Sequence, residues 1–429
     1  MSTAVGPNWA GSYSYRAAEL VTPPDAAALA AVVRSSPRVR ALGTRHSFND
    51  LADTSGTLVT LVGLPAHPEL SDDGSTVTVS AGTRFAELAA WLEQRGFALH
   101  NLGSLPHISV GGAVATGTHG SGVGNGNLAT AVAALEVVDG RGEIVRLARG
   151  DDSFEGAVVA LGALGVVTRV TLDVQPSYRM RQDLFVDLPW EAVLADVAGI
   201  LSSAYSVSLF TDWTGETLKQ AWVKSRLDGV GSSPALDGLG TPGHSFFGAR
   251  PAGAKALSPA GDVIDNTTVQ GGVPGPWNER LPHFRADVTP SAGDEIQTEY
   301  FVALADAPAA LAAVRALAPQ IAPHLLVTEL RAVAADGLWL STAYRRESLA
   351  IHFTWMLRPD EVRAVLPLIE EALAPFAARP HWGKWFAAQA PSIVPLYERA
   401  ADFAALAERF DPDHRFRNAY LTRALALPA

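Results

Sequence analysis

A chain of 429 residues carrying a net charge of −11 disfavours nucleic acid and anionic membrane as partners. The absence of cysteine excludes disulfides, thiolate metal sites and a thiol nucleophile, while 48% hydrophobic residues can fill the two cores that this length suits. Met1–Pro7 has no basic segment followed by a long apolar run, and no uncharged apolar stretch reaches bilayer length. The expectation is a soluble cytoplasmic protein with no membrane partner and no metal.

In chain order, Asp25 stands where it can cap a helix over 26–34, whose apolar residues fall at helical spacing. Val39–Leu42 reads as a strand that ends at Gly43, where the chain turns polar through Thr44, Arg45, His46, Ser47, Phe48 and Asn49. Gly43 permits close approach of a ligand to the backbone, and successive amides in such a turn can cradle phosphate. His46 at the tip is either a solvated loop histidine or an imidazole within reach of a bound ring. Leu58–Leu61 and Thr76–Ser80 read as strands, and Phe85–Arg95 as an amphipathic helix stopped by Gly96.

Asn101–Gly126 is rich in glycine with serine and threonine interleaved. Its apolar pairs, Ile108/Val110 and Val114/Ala115, would be out of place in a surface linker. No G-x-G-x-x-G opens a helix after the first strand, so a Rossmann pyrophosphate site is not expected. Leu128–Ala134 reads as a short helix or the start of a strand. Leu135–Val138 and Ile144–Leu147 read as a hairpin with a two-residue-type turn at Asp139-Gly140. A helix over Phe154–Leu161, ended by Gly162, precedes a buried strand, Gly165–Leu172. The alternation is βαβ-like, within an α+β domain.

Composition changes near Gln175-Pro176, and an antiparallel pattern with covering helices follows. Ser206–Thr211 and Gln220–Lys224 read as strands; Leu227–Asn278 has little periodicity and is either disordered or a functional loop. A helix over Ala309–Ala318 has Pro308 in its first turn and Pro319 at its end. Helices over Asp360–Ala377 and Tyr397–Arg409 lead to Phe416–Ala419, and no internal repeat is visible. Three strands carry polar side chains at a period of two: Glu295, Gln297 and Glu299; Glu329 and Arg331; His352 and Thr354. A solvated sheet face is one reading; a surface that reads hydroxyl groups is the other. Lys384, between Trp382 and Trp385, either packs on aromatic faces or presents a cation.

Gly43-Thr-Arg-His-Ser-Phe-Asn49, Ser104-Leu-Pro-His-Ile-Ser109, Thr118-His-Gly-Ser-Gly122 and His381-Trp-Gly-Lys384 resemble the bacterial alditol (xylitol) oxidases of the vanillyl-alcohol oxidase superfamily. The likeness runs from Asn8-Trp9-Ala10 to Phe416–Ala419, nearly the whole chain. It implies a two-domain α+β fold: an FAD domain of two α/β subdomains over 1–176, a substrate domain with an antiparallel sheet and flanking helices over 177–378, and a C-terminal segment, 379–429, that completes the FAD site. It implies FAD bonded covalently through His46. Cofactor contacts are implied at Gly43, Thr44, Arg45, Ser47, Phe48, Ser104, Ser109, Gly112, Thr116, Gly117, Thr118, His119, Gly120, Val167 and Asn418. Arg45 stands where many relatives have a small residue, and would reach the pyrophosphate or solvent. Substrate contacts are implied at Ser104, Gln297, Glu329, Arg331, His352, Thr354 and Lys384. Among these, Arg331 and Lys384 would stabilise an alkoxide, Glu329 would bind the neighbouring hydroxyl, and Lys384 or His352 would take the proton, with Arg331 lowering the Lys384 pKa by like-charge repulsion.

The implied reaction oxidises the terminal hydroxyl of a polyol to the aldose and reduces dioxygen to hydrogen peroxide, in a monomer. An aldonolactone oxidase or dehydrogenase, and a flavoprotein that binds sugar without turnover, are the alternatives.

Overall fold

The computed structural model describes residues 5–65, 67–228, 245–253, 257–260, 266–288 and 294–428. Near the N-terminus, β1 (Glu19–Val21), α1 (Ala26–Ser35), β2 (Val39–Ala41) and β3 (Thr57–Val59) form a parallel sheet in the order β1-β3-β2. The Asp25 side chain accepts from the Ala28 amide at 2.8 Å, satisfying a free donor in the first turn of α1. Leu29, Ala30 and Val33 are the face that α1 buries. Next come β4 (Glu69–Leu70), β5 (Thr76–Ser80), α2 (Phe85–Glu93), α3 (Val110–Ala115), β6 (Val132–Val138), β7 (Ile144–Ala148), α4 (Phe154–Val158) and β8 (Val166–Asp173). Their strands make an antiparallel sheet ordered β4-β5-β8-β6-β7. In β8, Val166, Thr168, Val170 and Leu172 are buried and alternate with half-buried residues, as the period of two requires.

Three local expectations change. Leu128–Ala131 is a 3-10 turn that runs into β6, so both readings of that stretch describe part of it. The β6–β7 turn is longer than two residues, since Val138 pairs with Ile144. Asp139 Oδ1 accepts from the Arg141 and Glu143 amides and stabilises the wider loop. Gly140 serves packing instead: a Cβ there would lie 2.6 Å from Asp411 Oδ1. Finally, α4 stops at Val158: Val159 is already non-helical, with φ −95° and ψ 76°, and Leu161 and Gly162 follow with positive φ.

The second half contains β9 (Arg179–Pro189), α5 (Trp190–Ser202), β10 (Ser206–Thr211), β11 (Thr217–Arg226), β12 (Glu295–Ala303), α6 (Ala307–Arg315), β13 (Leu325–Val333), β14 (Ser348–Met356) and α7 (Pro359–Leu373). The main path of its sheet is β9-β11-β10-β13-β14-β12, antiparallel throughout. Two-residue strands at Arg250–Pro251 and Gly275–Pro276 pair with β9. The other described parts of the Gly/Pro-rich stretch carry no regular strand, and 229–244, 254–256 and 261–265 lie outside the described residues. Pro319 does not end α6, which stops at Arg315; it lies in the first turn of the next short helix, Ala318–Ile321, where its missing N–H costs no hydrogen bond. The helix expected to reach Ala377 leaves α geometry at Ala374 and turns at Ala377, whose φ is 47°.

One face of the large sheet carries Leu209, Ile296, Leu330, Ile351 and Trp355 and packs on α5, α6 and α7. A second core joins residues from 29 to 180 with α8 (Ala400–Phe410) and α9 (Ala419–Leu425). The polar face of the sheet looks toward the half that holds this second core rather than toward solvent, and Glu295, Gln297, Glu299, Glu329, Arg331 and His352 on it are all buried. Backbone bonds cross between the halves: Gly122 N to Ala332 O, His381 N to Glu299 O and Trp385 N to Gln297 O, each 2.9 Å.

Candidate active site

The two halves enclose a cavity of about 1080 Å³. One wall is the loop after β2. A Cβ at Gly43 would lie 2.6 Å from Ser109 Oγ, so a larger residue there would turn that hydroxyl away. Their contact lets Thr44 Oγ1 accept from the Ser109 amide at 3.2 Å while lying 3.1 Å from His46 Nδ1. The His46 ring stacks on Trp9 with centroids 5.2 Å apart, and its buried Nε2 has no partner. Burial, with help from Lys384 and His107, lowers the His46 pKa to about 4, so the ring is neutral. Arg45 takes a φ of 65° and donates from Nη1 to Val5 O at 2.6 Å, which ties it to the N-terminal segment. Ser47, Phe48, Ser104, Ser109, Gly112, Thr116, Thr118, His119 and Val167 also line the cavity.

The floor is built by strand register. Phe210, Glu329, His352 and Glu299 stand in one row across β10, β13, β14 and β12. Val327, Thr354 and Gln297 form the next row. Glu299 is the hub. It lies 3.0 Å from His119 Nε2, 3.1 Å from Arg331 Nη2 and 3.3 Å from His352 Nδ1. Burial alone would raise its pKa, but the facing His119 and His352 hold it well below the usual carboxylate range. Burial also works against the Glu329 carboxylate, and Arg331 and then His283 outweigh it, keeping that group ionised. Arg331 Nη1 donates to Ser104 Oγ at 3.2 Å, joining the floor to the glycine-rich segment.

Lys384 Nζ donates to Gln297 Oε1 and lies 4.9 Å from the Phe48 ring centre; its aromatic neighbour is thus Phe48, while Trp382 is buried and donates to Leu340 O. The Lys384 pKa is lowered to about 8, chiefly by burial. Arg331 contributes in the expected direction but ranks behind burial and the opposing carboxylates Glu299 and Glu295, so like-charge repulsion is not the main cause.

Three expected cofactor contacts do not reach the cavity. Asn418 caps α9, accepting from the Leu421 amide, and its Nδ2 donates to the carbonyls of Asp50, Leu51 and Asp53. It therefore braces the backbone just beyond the His46 loop. Gly120 lies where a Cβ would be 2.4 Å from Leu102 O, and Gly117 supplies a positive φ. Both shape the wall from behind. Two buried groups were not singled out from the sequence, His283 and Lys224, which meet only through the fold. Glu299 was read as part of the polar strand face with Gln297 but was given no role in the site. His119, Glu299 and His381 also lie close enough to hold an ion. Arg331 already balances Glu299, and His381 Nδ1 accepts from the Gly383 amide at 3.0 Å.

The cavity thus joins a glycine-lined wall that carries a buried neutral histidine to a floor of paired charges. Residues 17–148 match the family model for an FAD binding domain, and residues 294–424 match that of D-arabinono-1,4-lactone oxidase. The chain is 46% identical to an alditol oxidase from a Streptomyces species, over 98% of this chain and 99% of that one. It is 30% identical to L-gulono-1,4-lactone dehydrogenase from Mycobacterium tuberculosis, over 97% and 98% of the two chains. Cholesterol oxidase from Brevibacterium sterolicum shares the fold, with a TM-score of 0.75 at 13% identity over 98% of this chain and 96% of that one. The chain belongs to the FAD-dependent oxidoreductases of the vanillyl-alcohol oxidase superfamily, in the family of the alditol and aldonolactone oxidases. Among the described residues, no helix is long and apolar enough to cross a membrane.

The residues present fit FAD. The unpartnered Nε2 of His46 and the glycines Gly43, Gly111 and Gly112 on the cavity wall are what a large planar group against this wall needs.

Proposed function

We propose that this protein oxidises the terminal primary hydroxyl of alditols such as xylitol, sorbitol and glycerol to the aldose, using FAD bonded covalently to His46. The supporting observation is that Arg331, Glu329 and His352, buried on one sheet face, and Lys384, on the turn after Arg379–Pro380, line the same cavity as His46. FAD held there would supply the two-electron acceptor, with dioxygen as the final oxidant and hydrogen peroxide as its product.

The chain's own groups do the rest. His352 Nδ1 faces the Glu299 carboxylate at 3.3 Å, which favours hydrogen on Nδ1 and leaves the Nε2 lone pair, 3.3 Å from Thr354 Oγ1, for the hydroxyl proton. Burial keeps His352 neutral near pH 7, although Glu299 opposes the shift. Of the two candidate bases, His352 fits better, and Lys384 serves as a cation beside Arg331 for the charge that builds on the oxygen. Glu329 accepts from the adjacent hydroxyl, while Ser104, Gln297 and Thr354 hold the rest of the chain. A monomer in the cytoplasm, with domain limits at 176/177 and 378/379, belongs to the same proposal. The two cores follow those limits only in the main, since Tyr178, Met180, Trp277, Leu281, Leu338, Trp339 and Leu340 pack into the FAD-side core.

Supplied with xylitol in air, the protein should release an aldose and hydrogen peroxide in equal amounts. Consumption of an aldonolactone with xylitol untouched would move the assignment to the lactone branch. Consumption of neither would leave a sugar-binding flavoprotein.

A further inference from the structure

Behind Glu329, away from Glu299, lies a buried lysine. Lys224, on β11, is 1% exposed. Its Nζ donates to Leu281 O at 2.5 Å, to Pro282 O at 3.3 Å and to His283 Nδ1 at 3.0 Å. An ammonium has three donors and no acceptor, so all three are used. His283 Nδ1 must then accept, and the ring hydrogen sits on Nε2, which donates to Glu329 Oε1 at 2.7 Å. The rings of Trp222 and Phe210 meet His283 edge-on at 4.9 and 5.7 Å and hold its plane. Arg331 Nε lies 3.5 Å from the same Glu329 oxygen. No hydrogen bond reaches Glu329 Oε2 among the described residues.

We propose that Lys224 and His283 are positioning residues: Lys224 fixes the His283 tautomer, His283 holds one oxygen of Glu329, and the other oxygen is left as a fixed acceptor for the substrate hydroxyl next to the reacting carbon. This rests on the polyol reading of the site and names which of its parts sets hydroxyl recognition. The cation matters because a neutral histidine can carry its hydrogen on either nitrogen. With Nδ1 protonated, Nε2 would present a lone pair to a carboxylate, and Glu329 would turn away. A protonated His283 would also bind Glu329, but the facing ammonium disfavours that state. Burial lowers the Lys224 pKa to about 7, with Glu329 opposing and Arg331 adding to the shift, so the arrangement is best formed at pH 6.

The test uses the flavin-loaded protein at pH 6. Glutamine can accept from Lys224 with its oxygen and donate to Glu329 with its nitrogen, reproducing the polarity of His283; leucine fills similar space with neither. His283→Leu should raise the KM for xylitol about 10- to 100-fold with kcat within about threefold, because the lost contact is made equally in ground and transition states. His283→Gln should recover most of that loss, and Lys224→Met should raise KM by about tenfold, the size of one lost hydrogen bond. An unchanged KM in His283→Leu overturns the proposal. So does a His283→Gln protein that retains flavin and is as impaired as the leucine variant, since ring packing would then be what matters. If His283→Leu fails to load flavin, Lys224→Met decides by the same criterion. The response of the parent protein to xylitol tests the polyol reading separately. If the parent turns over an aldonolactone instead, the same variant-to-parent ratios are read on that substrate.

Discussion

The two walls of the cavity recognise their ligands by opposite means. The FAD-side wall is made of backbone: Gly43, Gly103, Gly111 and Gly112, with Thr44, Ser109 and Thr116 supplying hydroxyls. The sheet-side floor is made of side chains, in a chain of alternating charge from Lys224 through Glu329 and Arg331 to Glu299. A backbone wall is stiff and needs little charge, which suits a large cofactor that stays bound. A charged floor is costly to bury and is maintained only when each group has a partner, which suits transient charge in a reaction. Substitutions on the floor should therefore slow reduction by substrate and leave flavin in place, and substitutions on the wall should act on the flavin's attachment or its reoxidation.

The largest expected effect is on the floor. Arg331→Ala and Lys384→Ala should each slow flavin reduction by xylitol about 10²- to 10³-fold, the usual cost of removing one oxyanion donor, with flavin absorbance per chain unchanged. Near-normal reduction in either variant breaks the assignment. Next comes the wall. His46→Ala should fold and lose the covalent flavin, read as a chain mass without the added cofactor after acid denaturation. If the parent chain itself weighs in without flavin, the bond does not exist.

The third prediction concerns pH. Lys384 is protonated below about 8, so its support for the developing alkoxide is present there and lost as pH rises through 8. His352 must be neutral to accept the proton, and its pKa is lowered from the ordinary value of about 6.5, so the acid limb of the profile lies below that pH. A reduction rate that keeps rising above pH 8 would instead mark Lys384 as the base. The smallest effect is expected at Gly103. A Cβ there would meet His119 O and Thr118 Cγ2 at 3.7 Å, ordinary contact, and its φ is not in the left-handed region, so alanine should fold. Gly103→Ala should slow reoxidation by dioxygen more than reduction by xylitol. Equal slowing of the two half-reactions, followed by stopped flow, would remove the idea that this glycine leaves room for oxygen.

The same contrast governs how much of the molecule was legible in the sequence. Strands whose two faces differ could be read from their period, and Ser206–Thr211 has the expected limits. The polar faces of β12, β13 and β14 were visible too, although their burial was not: a polar face looks solvated until another layer covers it. The helix α5 was missed although Trp190, Val193, Val197, Ile200 and Leu201 fall at helical spacing; Gly199 weakens its pattern, and Asp196 departs from helical geometry with φ −154° and ψ 63°. Preceding it, β9 mixes Arg181 and Asp183 with apolar residues, and the two pair with each other at 2.7 Å instead of marking a face. The contact between Lys224 and His283 spans 59 residues of chain, much of it aperiodic, and no local signal announces it. Asn418 was read as a flavin contact because its neighbourhood is right; its amide is spent on three carbonyls instead.

The central claim is that the charged floor takes the hydroxyl proton at the terminal carbon of a polyol, while the hydride on that carbon would go to bound FAD. It is tested most directly by mixing the yellow holoenzyme with xylitol in the absence of oxygen and following the flavin colour, once with ordinary xylitol and once with xylitol deuterated at both terminal carbons. The prediction is bleaching with xylitol that is slower with the deuterated compound. No bleaching, or bleaching at the same rate with both, would contradict it.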